Sequence, residues 1–127
     1  MIYFLDKAPL YYTKMRDFLF EYINNETQFY TSVLTDMEYL VYPYKTADIS
    51  KINNYKAFTN DLNFKRIDIN IEICDYAAHL RAKYDFLRQM DALHLSCCKS
   101  LDCDYFLTND KQLLKIKEIK SILVDSL

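Results

Sequence analysis

Residues 77–116 decide the fold and read AAHLRAKYDFLRQMDALHLSCCKSLDCDYFLTNDKQLLKI. Their apolar spacing predicts the end of a helix over Ile71 to Lys83 and a second helix over about Gln89 to Leu101. An apolar run from Tyr105 to Leu107 predicts a strand, and a short helix from Lys111 to Ile116 follows it. Helices alternating with strands in this way indicate a parallel sheet with crossover helices.

The rest of the chain continues the alternation of strands and helices. Further strands are predicted at Ile2 to Leu5, Phe29 to Val33, Phe64 to Ile69 and Ile122 to Val124. Further helices are predicted at Ala8 to about Ile23, at Asp36 to about Tyr42 with an end at Pro43, and at roughly Ile49 to Phe58. We therefore expect one α/β domain over residues 1–127, a three-layer α/β/α sandwich with a central, mainly parallel sheet.

The composition is that of a globular domain and excludes two classes of nucleotide enzyme. The chain has 127 residues, of which 51% are hydrophobic and 27% charged, and it contains no glycine. A P-loop and a dinucleotide fingerprint both need glycines, so neither is present. Turns with positive φ must then rely on Asn or Asp, and we expect them at Asn24-Asn25, Asn53-Asn54 and Asn60-Asp61.

The net charge and the cysteine content limit the possible binding partners and the possible cellular compartment. The net charge of −2 gives no global electrostatic attraction for a nucleic acid, so any RNA contacts must be local. The four cysteines do not form two C-x-x-C pairs of a zinc site, and we expect reduced thiols. The apolar run at Met1 to Leu5 is too short for a signal peptide or a membrane span, so the cytoplasm is the expected location, without membrane attachment.

Four acids stand where the predicted strands give way to helices: Asp6, Glu38, Asp91 and Asp110. The carboxyl ends of parallel strands converge on one crevice, so acids far apart in sequence can share it. Carboxylate oxygens are the ligands preferred by Mg²⁺ or Mn²⁺, which keep open positions for substrate phosphates. The placement therefore indicates a metal site.

Each acid also has an ordinary structural explanation. Asp6 could simply end a strand, Asp91 could favour the positive N-terminal end of its helix, and Asp110 could cap the helix that follows. The tetrapeptide Thr35-Asp36-Met37-Glu38 fits a capping box in which Glu38 reaches back to the Thr35 amide. It is the joint placement of four acids that favours a metal site over these separate roles.

Three segments are informative: MIYFLDKAPLYY at the start, TSVLTDMEYL near position 35, and the long stretch quoted above with its DALHL and TND motifs. They resemble the PIN-domain nucleases, and among them the VapC-type toxins of toxin–antitoxin pairs. The segments cover about half of the chain in the family's order and spacing. The middle, from roughly Pro43 to Cys74, matches only in length and helical character.

The resemblance implies a Mg²⁺- or Mn²⁺-dependent endoribonuclease whose products carry a 5′-phosphate and a 3′-hydroxyl. It places the metal and catalytic residues at Asp6, Glu38, Asp91 and Asp110. We assign Asp6 and Asp91 as direct ligands, with Glu38 and Asp110 completing the shell or holding metal-bound waters. The family also implies a homodimer and an antitoxin protein whose segment fills the acidic groove.

Five further residues are candidates for contact with the RNA substrate: Lys7, Arg81, Arg88, Thr108 and Asn109. The arginines could contact phosphates, although Arg81 could instead extend over the core from the middle of its helix. The Thr108 and Asn109 side chains could hydrogen-bond a carboxylate or a phosphate oxygen, or serve only the turn.

Lys7 departs from the family pattern, which commonly has Thr or a similar small polar residue after the first Asp. A lysine there could neutralise Asp6 unless its ammonium points to solvent or to substrate. This departure favours the alternative function, a non-catalytic PIN-like subunit for RNA binding or assembly.

His79 and His94 are expected to be packed, hydrogen-bonded histidines rather than metal ligands or bases.

Overall fold

The computed structural model describes residues 2–6, 27–61 and 64–126. The helix predicted over Ala8 to Ile23, the turn at Asn24-Asn25 and the side chain of Lys7 lie outside the described residues. Labels below count the described elements in chain order.

Five strands and four helices make up the described fold. The strands are β1 (Ile2–Leu5), β2 (Gln28–Ser32), β3 (Lys65–Ile67), β4 (Tyr105–Thr108) and β5 (Ser121–Leu123). The helices are α1 (Val33–Lys45), α2 (Ile49–Asp61), α3 (Ile71–Lys83) and α4 (Gln89–Ser100), and two 3₁₀ turns cover Lys111–Lys115 and Val124–Ser126. The described helices lack the length and apolar character needed to cross a membrane.

The five strands form one parallel sheet in the order β3-β2-β1-β4-β5. The central strand β1 pairs Phe4 with Tyr30 of β2 on one side and with Phe106 of β4 on the other. The chain thus crosses from one half of the sheet to the other between β3 and β4. In such a sheet a crevice opens at the carboxyl ends of the strands next to the point of reversal, here beside β1.

Alternate residues of the strands build two separate cores, one on each face of the sheet. Phe4 and Phe106 pack with Ile73 of α3 and Leu95 of α4 on one face. On the other face a second core includes Phe58 of α2 and the strand residues Tyr3, Leu5, Phe29 and Leu107. Helices therefore cover both faces, and the α/β sandwich with a parallel sheet is confirmed.

Helix α1 starts earlier and ends later than its sequence pattern indicates. It begins at Val33 because Ser32 caps it, with the Ser32 hydroxyl accepting a hydrogen bond from the Leu34 amide at 3.1 Å. It runs through Pro43 to Lys45, so the predicted end at Pro43 was wrong. The capping box at Thr35 was also wrong, because Thr35 is itself helical and its side chain is buried.

The remaining elements agree more closely with their patterns. Helix α3 has the predicted bounds, and Ile73, Ala77 and Leu80 form its buried face as expected. The predicted turn at Asn53-Asn54 was wrong, since both residues lie inside α2. Among the described residues positive φ occurs instead at Ala47 and Asp102, both at 52° and both just after a helix.

The cysteines are free thiols, as expected. Cys97 and Cys98 are buried in the core beside α3, while Cys74 is exposed. Burial raises the pKa of the Cys97 thiol to about 12, so it stays protonated at neutral pH.

Candidate active site

Asp6 lies at the carboxyl end of the central strand, where sequence reasoning placed it. Its side chain is buried, and its backbone amide donates to the Leu107 carbonyl at 3.2 Å. The Thr108 hydroxyl, from the end of β4, donates to Asp6 Oδ2 at 3.1 Å. Thr108 Oγ1 in turn accepts from the Asp110 amide at 3.1 Å. One buried hydroxyl therefore joins the first and last of the four candidate acids.

Asp110 fills the structural role that was considered for it as an alternative. Its Oδ1 accepts from the Gln112 amide at 2.9 Å and caps the 3₁₀ turn after β4. A carboxylate has two oxygens and about four lone-pair sites, so this bond is compatible with a second role.

Glu38 lies within α1, in its second turn, so the prediction that it stands at a strand-to-helix junction was wrong. Its Oε1 lies 2.6 Å from Nε2 of His94, which is fully buried. The other ring nitrogen of His94, Nδ1, lies 3.2 Å from the Ser32 hydroxyl at the end of β2. His94 is thus a packed, hydrogen-bonded histidine as expected, and it also holds a candidate metal ligand.

Asp91 is buried in the first turn of α4. It follows the loop between two helices rather than a strand, which corrects its expected local setting. Asp91 and His94 are three residues apart on this helix and so lie on the same side of it. Arg88, which precedes the helix and is largely exposed, places Nε 4.0 Å from Asp91 Oδ2.

Strand register brings these groups to one end of the sheet. Continuing the observed pairing of β1 by two residues past Phe4 sets Asp6 beside Ser32 on one side and Thr108 on the other. All three share the sheet face of Phe4, whose ring lies 6.2 Å from the His94 ring of α4. Asp6 therefore lies between Ser32 at the end of β2, which bonds His94, and Thr108 at the end of β4, which bonds Asp6 itself.

The donor set suits a hard cation held in part by substrate. Across residues 2–6, 27–61 and 64–126 there is no group of three or more His, Cys, Asp or Glu arranged to hold a metal ion. Mg²⁺ does not require such a cage, because it is commonly held by one or two carboxylates, waters and substrate phosphates. Oxygen donors such as Asp6 and Asp91 fit that mode, and the convergence of all four carboxylates remains a prediction.

Hydrogen bonds from two other elements hold helix α1, which carries Glu38. The Asp36 carboxylate accepts from Arg66 Nε at 2.6 Å and Nη2 at 3.1 Å, and from the Tyr55 hydroxyl. The bonds tie α1 to β3 and α2. Burial, and then the bond to Asp36, raise the pKa of Tyr55, while the bond to Asp36 raises the pKa of Arg66.

Three of the candidate substrate contacts have hydrogen-bond partners within the protein. Arg81 Nε donates to the Leu87 carbonyl at 3.3 Å and so steadies the loop before α4. Asn109 Oδ1 accepts from the Asp125 amide of the last 3₁₀ turn at 3.2 Å, a contact 16 residues away rather than the local turn role considered for it. Thr108 bonds a carboxylate, one of its two predicted uses.

Sequence reasoning missed Ser32 as a site residue and the connection of His94 to Glu38. The spacing of Asp91 and His94 by one helical turn was the available signal, because it places both side chains toward the same neighbours. The expectation for His79 was wrong, since it is exposed on α3 and lies 3.5 Å from Asp75 one turn away.

Comparison with known proteins agrees with this fold. The model of the PIN domain family matches residues 7–119. The DNA-bound VapBC structure from Salmonella typhimurium has a TM-score of 0.79 and 15% identity, over 98% of both chains. VapBC2 from Rickettsia felis, bound to promoter DNA, has a TM-score of 0.74 and 17% identity, over 97% of this chain and 98% of that one.

A toxin-antitoxin complex from Klebsiella pneumoniae has a TM-score of 0.73 and 20% identity, over 95% of this chain and 96% of that one. At these identities the structural likeness shows the fold alone. The curated proteins give no match to the chain.

Proposed function

The chain belongs to the PIN-domain family, and from that premise we propose that it is a Mg²⁺- or Mn²⁺-dependent endoribonuclease, the toxin of a toxin–antitoxin pair. PIN domains are generally nucleases. The observation that carries the proposal is the buried Asp6 carboxylate at the end of the central strand, bonded by Thr108 from the neighbouring strand. A carboxylate so placed lies at the crevice where open parallel sheets bind their ligands.

We assign Asp6 and Asp91 as the direct metal ligands, with Glu38 and Asp110 holding further positions or bound waters. A bound divalent cation supplies a nucleophilic water near neutral pH and stabilises charge on the phosphate and leaving oxygens. The described contacts leave Glu38 and Asp110 one oxygen each beyond the bonds to His94 and Gln112. These oxygens are suited to bind metal or to orient a water.

We propose that cationic and polar side chains contact the substrate. Arg88 is largely exposed and adjacent to Asp91, so its guanidinium is placed to bind a phosphate that approaches the acids. Arg81, Lys7 and the Asn109 amide are proposed to act beside it. Phosphate contacts of this kind position RNA without reading its sequence.

The proposed assembly follows the structural relatives. VapBC structures and the Klebsiella pneumoniae toxin-antitoxin complex resemble the fold, and we propose that this chain binds a small antitoxin protein. We also propose that it forms a homodimer. We further propose that residues 1–127 are one domain that acts in the cytoplasm on RNA. A single cooperative unfolding transition would support the one-domain assignment.

Incubating purified protein with RNA in Mg²⁺ or Mn²⁺ tests the activity. We expect cleavage that EDTA abolishes, with 5′-phosphate and 3′-hydroxyl ends on the products. RNA binding without cleavage in either metal would instead support the non-catalytic RNA-binding subunit.

A further inference from the structure

His94 is fully buried and has a polar partner at each ring nitrogen. Those partners come from two other elements: Ser32 ends β2, and Glu38 lies on α1. A buried imidazole thus connects the α4 helix that carries Asp91 to the helix that carries Glu38.

The hydrogen-bond partners of His94 identify the donor to Glu38. The Ser32 oxygen already accepts from the Leu34 amide, so its hydroxyl proton can be donated to His94 Nδ1. Nε2 carries a proton and donates to Glu38 Oε1, since an ionised carboxylate only accepts.

The consequence for Glu38 is a fixed carboxylate. A free glutamate on a helix samples several rotamers, whereas a 2.6 Å bond to a buried, immobile ring selects one position for Oε1. Donors to ligating carboxylates tune metal sites, and their loss typically lowers metal affinity or activity about 10–100-fold.

We infer that His94 is a positioning residue that holds Oε1 of Glu38 and so sets the other oxygen for a metal ion or its water. The inference rests on the proposed function, because Glu38 is a ligand only if the site binds a cation. His94 itself contacts neither metal nor RNA.

Three substitutions separate the two bonds of the ring. His94→Gln places an amide donor near the position of Nε2 and keeps the bond to Glu38. His94→Asn reaches only as far as Nδ1 and keeps the bond to Ser32, while His94→Leu keeps neither. We expect Mn²⁺ affinity, measured by calorimetry, to fall about 10–100-fold in the Leu and Asn variants. The Gln variant should stay within a few-fold of the parent.

Ser96→Ala is the matched control, because Ser96 is buried on the same helix and donates to the Ile73 carbonyl at 2.6 Å, away from Glu38. It should leave Mn²⁺ affinity unchanged. With RNA as substrate, His94→Leu should lower kcat and leave KM within two-fold, since His94 does not touch RNA. An equal loss of affinity in Ser96→Ala and His94→Leu would overturn the inference in favour of a general packing role.

Repeating the His94 substitution in a Glu38→Ala variant makes the test specific to Glu38. If His94 acts through Glu38, His94→Leu should cost less than two-fold in Mn²⁺ affinity once Glu38 is Ala. A loss as large as in the parent would overturn the inference. Parent protein that neither binds Mn²⁺ nor cleaves RNA would refute the proposed function instead.

Even then, urea unfolding tests the contact between His94 and Glu38. The four proteins compared are the parent, His94→Leu, Glu38→Ala and the double variant. Because the two side chains interact directly, the midpoint shifts of His94→Leu and Glu38→Ala should be non-additive in the double variant. Additive shifts would show that the two side chains do not act together and would overturn the inference on their own.

Discussion

The Thr108 hydroxyl donates a 3.1 Å hydrogen bond to the Asp6 carboxylate across 102 residues of sequence. Both side chains are buried at the ends of neighbouring strands. The same hydroxyl oxygen accepts from the Asp110 amide, so it fixes two candidate metal-binding residues at once.

Thr108→Val should therefore lower both stability and activity. Valine keeps the shape of threonine but removes the donor, and losing a buried bond to a charged group costs about 1–3 kcal/mol. We expect about a 10–100-fold loss of Mn²⁺-dependent cleavage as well. Thr59→Val is the control, because Thr59 is also buried but bonds the Lys56 carbonyl within α2. Unchanged cleavage by Thr108→Val would remove Thr108 from the active site.

Asp6→Asn and Asp91→Asn should each abolish RNA cleavage and leave the fold intact. The amide keeps the shape of the carboxylate but loses the charge that binds a cation, while stability should change little or rise as like charges are removed. Circular dichroism checks the fold and gel analysis the cleavage. Asp75→Asn, at an exposed position on α3, should cleave like the parent. If both site variants are as toxic as the parent to cells that express them, the non-catalytic subunit would be favoured.

Arg88→Gln should weaken RNA binding without weakening metal binding. Arg88 is largely exposed beside Asp91, and removing one phosphate contact should reduce the salt dependence of RNA affinity by about one ion. Lys99→Gln, at the other end of the same helix, should leave the salt dependence unchanged. Filter binding over a range of KCl concentrations measures both variants.

Lys7→Thr tests the departure from the family pattern that follows the first Asp. We expect Lys7 to lie on the rim of the site, because an ammonium beside bound cations would be strongly repelled. The substitution should then weaken RNA binding and flatten its salt dependence, with Mn²⁺ affinity unchanged. Clearly tighter Mn²⁺ binding in calorimetry would place Lys7 inside the site.

Tyr55→Phe should lower stability and change its dependence on alkaline pH. The folded state raises the pKa of Tyr55, through burial and its bond to Asp36. Folded protein therefore holds the phenolic proton more tightly than unfolded chain, and this stabilisation, complete below pH about 10, decreases as pH rises further. Urea unfolding should show about 1–3 kcal/mol lost at pH 7, and a shallower decline above pH 10 than in the parent.

Local patterns in the sequence predicted most of the fold. Helix α3 was delimited correctly because Asn70 caps it, with its side chain accepting from the Ile73 amide, and because three apolar residues repeat at helical spacing. Helix α1 was misplaced because Ser32 and Thr35 are both good caps, and tertiary contacts decide between them. Ser32 bonds His94 there, and Thr35 accepts from no helix amide but from the Thr31 hydroxyl.

The site was less predictable than the fold for a related reason. Asp6 and Asp110 follow strands, so their place at the sheet's carboxyl end could be inferred from pattern alone. The bond between Glu38 and His94 joins residues 56 apart, and no periodicity encodes such a pair. It depends on where α1 begins and on how α4 lies against the sheet.

The position of β1 at the centre of the sheet has a consequence for synthesis of the protein. Strand β1 obtains its second neighbour only when β4, about a hundred residues later, has been made. Such distant pairing is slow to form and cannot precede the emergence of its later partner. Asp6 and Thr108 can therefore meet only after residue 108 has been made, so a growing chain that ends before that residue carries no assembled site.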